Sequence, residues 1–205
     1  MSLIRPLLLW AAFAATLFLN GCLWLEKAEF HIRVNPDGSG SGSVRYINIC
    51  DAPDSVTGSV SGAELSGAFT TLMDQYVHGD GFEQEYNQAH VTGKRLFRQD
   101  SMLCGEVTFT FDSLAAFNLF RYRDAKGGFI SHLVHPLFGL YHTAVLQSNA
   151  GLTARFEGDA ALVWPASVHE FDFTVVTTFD SLYPTRTFSL ANVWSRSGGD
   201  TSWVR

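Results

Sequence analysis

The chain has 205 residues, enough for one domain or two small ones. Hydrophobic residues make up 46% and charged residues 17%, a composition that excludes a disordered chain. The formal net charge is −6, and no cluster of basic residues supplies the positive surface that neutralises nucleic-acid phosphates. Arg121 and Arg123 come closest, and we interpret them as one solvated strand face. We therefore expect no nucleic-acid partner.

The N-terminal segment has the pattern of an export signal. One positive charge, Arg5, precedes a run of 14 apolar residues, 6–19. This run is shorter than the ~18–20 residues that a membrane-spanning helix needs. It ends in the sequence Leu19-Asn20-Gly21-Cys22.

These four residues resemble the lipobox of bacterial lipoproteins, in which an aliphatic residue and two small or tolerated residues precede an invariant cysteine. The resemblance implies that residues 1–21 are a signal peptide cleaved between Gly21 and Cys22. It also implies that Cys22 carries diacylglycerol and often an N-linked acyl chain such as palmitate. Two alternatives are an ordinary signal peptide with a chance cysteine and an uncleaved anchor that includes residues 23–25.

The lipobox resemblance also predicts a location. Two or three acyl chains give stable membrane anchoring, whereas one chain binds only marginally. Position 23 is leucine and not the aspartate that retains enterobacterial lipoproteins in the inner membrane. We therefore expect the protein at the outer membrane, facing the periplasm. In a Gram-positive cell the same anchor would place it on the extracytoplasmic face of the cytoplasmic membrane.

The mature chain reads as a short lipidated tether, 22–27, followed by one globular domain, 28–205. Apolar and polar residues alternate over 28–35 and again over 42–49, which predicts two strands. The turn residues of 35–40, Asn-Pro-Asp-Gly-Ser-Gly, join them into a hairpin. The alternation slips after Tyr46, which predicts a bulge.

One principal helix is predicted over 62–78. Ser61 and Glu64 form a capping box, and apolar residues then repeat at helical spacing up to Gly79. We interpret the apolar stripe as the core face of the helix, with a ligand groove as the alternative. Glu83 and Glu85, which follow, are interpreted as solvated residues of a surface loop.

The second half of the chain predicts further strands. Runs 90–98 and 102–111 follow the helix, and a short helix ends at Phe117, so the order begins β-β-α-β-β. Later strands are predicted at 119–123, 152–156, 160–164, around 171–175, 188–194 and 201–205. Residues 129–142 are apolar but ambiguous, because Pro136 breaks any regular element. The fold class is α+β, with mainly antiparallel strands.

The start of the mature chain resembles the LppM-type domain of bacterial lipoproteins. In that domain a strand after the lipidated cysteine leads through an Asn-Pro-Asp-Gly-Ser-Gly turn into a second strand, as residues 29–49 do here. The resemblance covers about 20 residues. It implies an envelope module and points to lipid or glycolipid as its ligand.

Three cysteines are present, and lipidation of Cys22 leaves Cys50 and Cys104 as a pair in an oxidising compartment. A disulfide between them would close a loop of about 55 residues and stabilise the fold by roughly 4 kcal/mol. Two buried free thiols are the alternative.

No motif assigns a catalytic residue, a cofactor or a metal. His132, His135 and His142 are the densest histidine group, but Pro136 interrupts it and no acidic residue or cysteine lies within it. Asp37 and Asp200 are interpreted as turn formers, because too few carboxylates surround them for calcium. A Ser-His-Asp triad would leave no motif, since its members lie far apart in the chain.

The sequence therefore favours a membrane-anchored envelope lipoprotein that is a binding or assembly module and not an enzyme. Its expected partners are the membrane, through the lipid anchor, and a lipid or an envelope protein. The alternative is a secreted hydrolase. A cavity lined by phenylalanine and leucine would favour lipid binding, and a cleft with serine or aspartate beside histidine would favour an enzyme.

Overall fold

A computed structural model describes residues 23–51, 61–86, 89–117, 119–124, 127–134, 137–138, 141–150, 152–156, 159–179, 188–197 and 201–204. The strands are, in chain order, β1 (Leu23–Val34), β2 (Gly40–Asp51), β3 (Ala89–Gln99), β4 (Met102–Phe111), β5 (Leu119–Asp124), β6 (Gly127–Val134), β7 (Leu137–Phe138), β8 (Tyr141–Ser148), β9 (Leu152–Phe156), β10 (Asp159–Pro165), β11 (Glu170–Phe179), β12 (Phe188–Ser189) and β13 (Thr201–Val204). The helices are α1 (Gly62–Thr71), α2 (Gly81–Glu85) and α3 (Ala191–Ser197). A π-helical turn, Leu72–Val77, continues α1, and a 3₁₀ turn, Leu114–Phe117, precedes β5. The α+β class and the opening order β-β-α-β-β are confirmed.

Antiparallel pairing organises the described strands into two sheets. The larger sheet has the order β13-β3-β4-β2-β1-β11-β8-β7, with β12 also paired to β2. The smaller sheet has the order β5-β6-β10-β9. The hairpins β1-β2, β3-β4 and β9-β10 join neighbours in the chain, while β11 returns from far along the chain to pair with β1.

The first hairpin forms as its turn residues predict. Gly38 has a φ of 93°, and its N–H donates to the carbonyl of Asn35 at 3.0 Å. The Asp37 carboxylate accepts bonds from the N–H and the hydroxyl of Ser39, at 3.0 and 2.7 Å. Asp37 is thus a turn former, as predicted. β1 begins at Leu23, however, so residues 23–27 are not a free tether but a strand paired to β2.

Two glycines of β2 lie beneath phenylalanine rings of the adjacent strand β4. Gly40 pairs with Phe111 and Gly42 with Phe109. A Cβ on Gly40 would lie 2.3 Å from the Phe111 ring, and a Cβ on Gly42 would lie 2.8 Å from the Phe109 ring. The two rings therefore occupy the space that side chains of β2 would need.

The principal helix begins at its predicted capping box. The Ser61 hydroxyl accepts a bond from the N–H of Glu64 at 3.2 Å, and the Glu64 carboxylate accepts one from the N–H of Ser61 at 2.6 Å. This cap satisfies two backbone donors that would otherwise lack partners. The helical segment runs from Gly62 to Val77, with the π-helical turn as its last part.

Two apolar clusters make up the core. The aromatic core joins the larger sheet to the smaller one, and its members include Phe30, Phe82, Tyr86, Phe109, Phe117, Leu162 and Trp164. The helical core packs α1, the π-helical turn and α3 on the other end of the larger sheet, and its members include Ile49, Leu72, Leu96, Leu103, Leu190 and Trp194. Tyr46 contacts both clusters, so the boundary between them lies at this residue.

The predicted strand 188–194 is wrong. Only Phe188–Ser189 pair with β2, and residues 191–197 form α3. Leu190, Ala191 and Trp194 are all buried, a helical spacing that places one face of α3 in the helical core. Burial of that face outweighs the strand-like alternation of the sequence.

Cys50 and Cys104 are buried and no disulfide joins them in the structure, which agrees with the alternative of two buried thiols. β2 pairs with β4 up to Tyr46 and Gly105. Continued in that register, Cys104 would face position 47, three residues from Cys50. Three residues of strand span about 10 Å, whereas a disulfide requires Cα atoms within about 7 Å.

We expect the exported protein, denatured without reductant, to show the reactive thiols of Cys50 and Cys104, and the native protein to show almost no reaction at either because both are buried. Titration with a thiol-reactive chromophore, with and without prior reduction, measures this. Thiols that appear only after reduction would indicate a disulfide, and a third reactive thiol would contradict the predicted thioether on Cys22.

Candidate functional site

An apolar groove lies between the helical segment and the face of the larger sheet. Its volume is ≈ 160 Å³, close to the ~150 Å³ of a cavity that holds one benzene molecule. Its lining consists of Leu23, Leu25, Tyr46, Ile49, Leu72, Tyr76, Val77, Phe82, Glu85, Lys94, Arg95, Leu96, Gly105, Glu106 and Val107. A groove of this size fits part of one alkyl chain or one small head group, and not a drug-sized ligand.

The floor of the groove comes from the strands β2, β3 and β4. Gly105 faces Tyr46 across the β2-β4 pair and Leu96 across the β3-β4 pair. A Cβ on Gly105 would lie 3.3 Å from the Ile49 side chain and 3.5 Å from that of Leu96. Because Gly105 has no side chain, the groove is deeper at this position than at the neighbouring residues Tyr46, Ile49 and Leu96.

The roof is the π-helical turn, which widens the end of the principal helix. The N–H of His78 donates to the carbonyl of Met73 at 2.8 Å, five residues earlier in the chain. Leu72 and Val77 are buried against the helical core, while Tyr76 is half-buried at the groove. Such turns are rare and are frequently found at functional sites.

The start of β1 lines one part of the groove, which we call its mouth. Leu23 and Leu25 line it, both half-buried, and Leu25 pairs with Ile49 of β2. Leu23 directly follows the predicted lipid site, Cys22. The mouth is therefore formed by the residues that come next in the sequence after that site.

Glu85 is the one groove residue with a carboxyl group and no basic partner among the described residues. Glu85 is an exposed side chain, although protein atoms lie near its carboxyl group. This crowding removes solvating water and raises the pKa of Glu85 to about 7, against a small lowering by the hydroxyl of Tyr86, which donates to the carboxylate.

Three tyrosines surround this carboxyl. Burial, together with the nearby charge of Glu85, raises the pKa of Tyr46 and of Tyr86 well above the usual range, and raises that of Tyr76 to a smaller extent. Tyr46 comes from β2, Tyr76 from the π-helical turn, and Tyr86 directly follows α2. The three tyrosines near this carboxyl thus come from three separate parts of the fold.

The basic residues that line the groove, Lys94 and Arg95, form ion pairs with acidic residues other than Glu85. Lys94 is buried, and its ammonium donates to the carbonyl of Gly79 at 2.7 Å and to the Glu83 carboxylate at 3.3 Å. Arg95 pairs with Glu106. Neither cation is the charge partner of Glu85.

The interpretation of Glu83 and Glu85 as surface-loop residues is wrong, because both lie in α2; Glu85 is exposed, as predicted, whereas Glu83 is half-buried. α2 turns the chain so that Phe82 enters the aromatic core and Glu85, three residues later, reaches the groove. Glu83 pairs with Lys94, which becomes buried only when distant parts of the chain pack together. One feature of the sequence indicates this arrangement. Phe82 stands between acidic residues and is the single apolar side chain that packs α2 against the aromatic core.

We expect Glu85 to make stability depend on pH. Its pKa is about 7 in the folded chain and 4.5 ordinarily, so the unfolded chain loses this proton at lower pH than the folded chain does. The folded state should therefore lose stability as pH rises from about 4.5 to about 7, and no further above that. Glu85→Gln should raise the melting temperature at pH 8 and leave it nearly unchanged at pH 4.

Thermal unfolding at the two pH values measures this effect. Asp74→Asn is the matched control, because it removes an exposed carboxylate from the helical segment that precedes α2, outside the groove. An equal shift of the melting temperature in both variants would show that Glu85 affects stability no differently from Asp74.

A polar cluster on the opposite face of the sheet bears on the hydrolase alternative. Nδ1 of His31 lies 2.6 Å from the Asp172 carboxylate, and Ser43 and Asp172 are the cross-strand neighbours of His31. The Ser43 hydroxyl makes no hydrogen bond among the described residues. His31 and Asp172 are each more than half exposed. The residue types of a triad are therefore adjacent, but the bond from serine to histidine is missing.

Several sequence predictions fall outside the described residues. They include the signal peptide, Gly21, Cys22, His135 and Asp200. His132 lies on β6 of the smaller sheet and His142 on β8 of the larger one. Across the part of the chain that is described, no three metal-binding side chains converge, and no helix is both long and apolar enough to span a membrane.

Comparison of the chain with protein-family models, with curated proteins and with solved structures found no match.

Proposed function

We propose that this protein is an envelope lipoprotein, anchored through Cys22, whose groove binds an acyl chain of a membrane lipid. It acts as a binding module and not as an enzyme. The observation that carries the proposal is the position of the groove mouth, where Leu23 and Leu25 follow the lipid site without a linker.

The surroundings of the mouth support a membrane lipid as the occupant. The groove shares Ile49, Leu72, Val77 and Leu96 with the helical core, on which the half-buried side chains of Leu65, Phe69 and Met73 also pack. Placed beside an acylated Cys22, they would meet the interfacial region of a bilayer. Burial of apolar surface stabilises such contacts by about 25 cal/mol per Å².

The size of the groove limits the occupant to part of one chain. At ≈ 160 Å³ it cannot enclose a whole two-chain lipid. A lipid that stays in the bilayer and inserts one alkyl segment satisfies both the volume and the position of the mouth.

Photo-crosslinking tests the proposal. The lipoprotein is placed in vesicles that contain a phospholipid with a diazirine near the end of one chain, and labelled peptides are identified by mass spectrometry. We expect labels in the groove, on residues 62–86 and on β3. Labels confined to the exposed polar face of the sheet would contradict acyl binding.

Leu25→Glu should reduce groove labelling at least about fivefold, because a carboxylate at the mouth must be desolvated when a chain enters. Leu146→Glu is the matched control, since Leu146 is 61% exposed on β8 and lies outside the groove. Equal labelling of both variants would show that the label does not report on the groove.

The hydrolase remains a second candidate because of the row Ser43, His31 and Asp172. Ester hydrolysis that is lost in both Ser43→Ala and His31→Ala would favour it over the binding module. We expect any residual hydrolysis to be the same in these variants and in the unchanged protein.

A further inference from the structure

We propose that an acyl chain attached to Cys22 itself occupies the groove while the protein is away from a membrane, and leaves the groove when that chain enters a bilayer. This inference rests on the proposed function and adds to it what fills the groove before a membrane lipid does. Its basis is the direct connection, without a linker, between the predicted lipid site and Leu23, which lines the groove.

The distance between the lipid site and the groove is short and fixed. Leu23 is both the residue after Cys22 and a lining residue of the groove. It faces Asp51 in the β1-β2 pair, and Trp24 and Leu25 continue that pair, so its position relative to the groove is set by the sheet. Consecutive Cα atoms lie about 3.8 Å apart. The attachment point of the chain is therefore held within about one residue's length of the lining.

The direction in which an acyl chain leaves Cys22 allows it to reach the groove. Leu23 and Leu25 line the groove, so in a continued strand the side chain at position 22 would face the other side of the sheet. An acyl chain on the amino group of Cys22 is not subject to this alternation, because it continues the line of the backbone. Rotation about its single bonds lets it fold back over Leu23.

The size of the groove admits one alkyl segment at a time. Its volume of ≈ 160 Å³ is close to the ~150 Å³ of a cavity that encloses the six carbons of benzene, so a segment of about six carbons fits. Aliphatic side chains supply most of the contacts for such a segment, among them Leu25, Ile49, Leu72 and Leu96. The chain on Cys22 and a chain of a membrane lipid therefore exclude each other.

The surroundings of the protein decide which chain is bound. In water the attached chain has an advantage over a free lipid, because its attachment corresponds to an effective concentration in the millimolar range. On a membrane the bilayer covers the whole chain, whereas the groove covers about six of its carbons. The attached chain therefore moves into the bilayer, and the groove becomes available to one chain of a neighbouring lipid.

The experiment uses the lipoprotein from cells that are fed a fatty acid with a diazirine close to its carboxyl end. One sample is immobilised at low density through a C-terminal tag, washed free of detergent and irradiated, and a second sample is irradiated in vesicles. We expect the first sample to carry at least about tenfold more cross-links from its own chain to residues 62–86 and β3. Equal cross-linking in the two samples, or cross-links confined to the exposed polar face of the sheet, would overturn the proposal.

A variant tests whether the cross-links report on the groove. Leu25→Glu should reduce cross-linking by the protein's own chain at least about fivefold, because a carboxylate at the mouth must be desolvated when the chain enters. Leu146→Glu is the matched control, since Leu146 is 61% exposed and lies outside the groove. Equal cross-linking of the two variants would also overturn the proposal. The comparison of the two samples uses the unchanged protein and decides the question even if Leu25→Glu does not fold.

Failure of this inference and failure of the proposed function give different results. A groove that is labelled by vesicle lipids but not by the chain on Cys22 would contradict the inference alone. A purified protein without the fed fatty acid would contradict the lipid anchor, and with it the proposed function. A lipidated protein whose groove is labelled by neither chain would contradict acyl binding itself.

Discussion

Phe109→Ala is expected to lower the free energy of unfolding by about 3–5 kcal/mol. Phe109 is 1% exposed and stacks on Phe117 with ring centroids 4.0 Å apart. It also lies near Phe82 and covers Gly42 of the adjacent strand. Its removal leaves a cavity bounded by rings and backbone that cannot collapse without moving a strand.

Urea unfolding followed by tryptophan fluorescence measures this loss. Phe120→Ala is the matched control, because Phe120 is 40% exposed and its truncation should cost less than about 1 kcal/mol. Similar losses in the two variants would show that the aromatic core contributes no more than a surface ring does.

Lys94→Met is expected to destabilise the protein by about 2–3 kcal/mol. The change keeps the volume of the side chain but removes the donor to Glu83 and to the carbonyl of Gly79. Breaking a fully buried pair costs about 3–5 kcal/mol, and the loss here should be smaller because the Glu83 side chain is 22% exposed.

A double-mutant cycle isolates the pair. Combining Lys94→Met with Glu83→Gln should recover part of the lost stability, because the carboxylate left without its ammonium is then neutral. Strictly additive losses would mean that Lys94 stabilises the fold only through its other contacts. The groove should survive the double change, since both side chains keep their size.

Local chemistry made much of the fold predictable. The turn at Asn35 to Gly40, the capping box at Ser61 and the alternation of β4 each specify their structure from neighbouring residues. The bulge predicted after Tyr46 is not present in the β1-β2 pair, whose register is unbroken; the slip in the alternation corresponds instead to Asn48, whose φ is 57°. These features need no knowledge of the rest of the chain.

The groove and the pairing order could not be predicted, because both depend on residues that are distant in sequence. Asp172 is 141 positions from His31, and no local pattern reports that β11 lies beside β1. Glu85 becomes unusual only when β2, the π-helical turn and α2 enclose it. The helix α3 was missed because its burial against β2 and α1 decides its structure more than its own sequence does.

The early start of β1 would limit the reach of a domain anchored through Cys22. A lipid on Cys22 would be joined to Leu23, the first residue of a strand held between two others, with no linker that could extend by about 3.4 Å per residue. Such an attachment would restrict both the height of the domain above a bilayer and its rotation about the anchor. Partners embedded in or resting on the same leaflet would be accessible to a domain attached in this way, whereas structures across the periplasm would not.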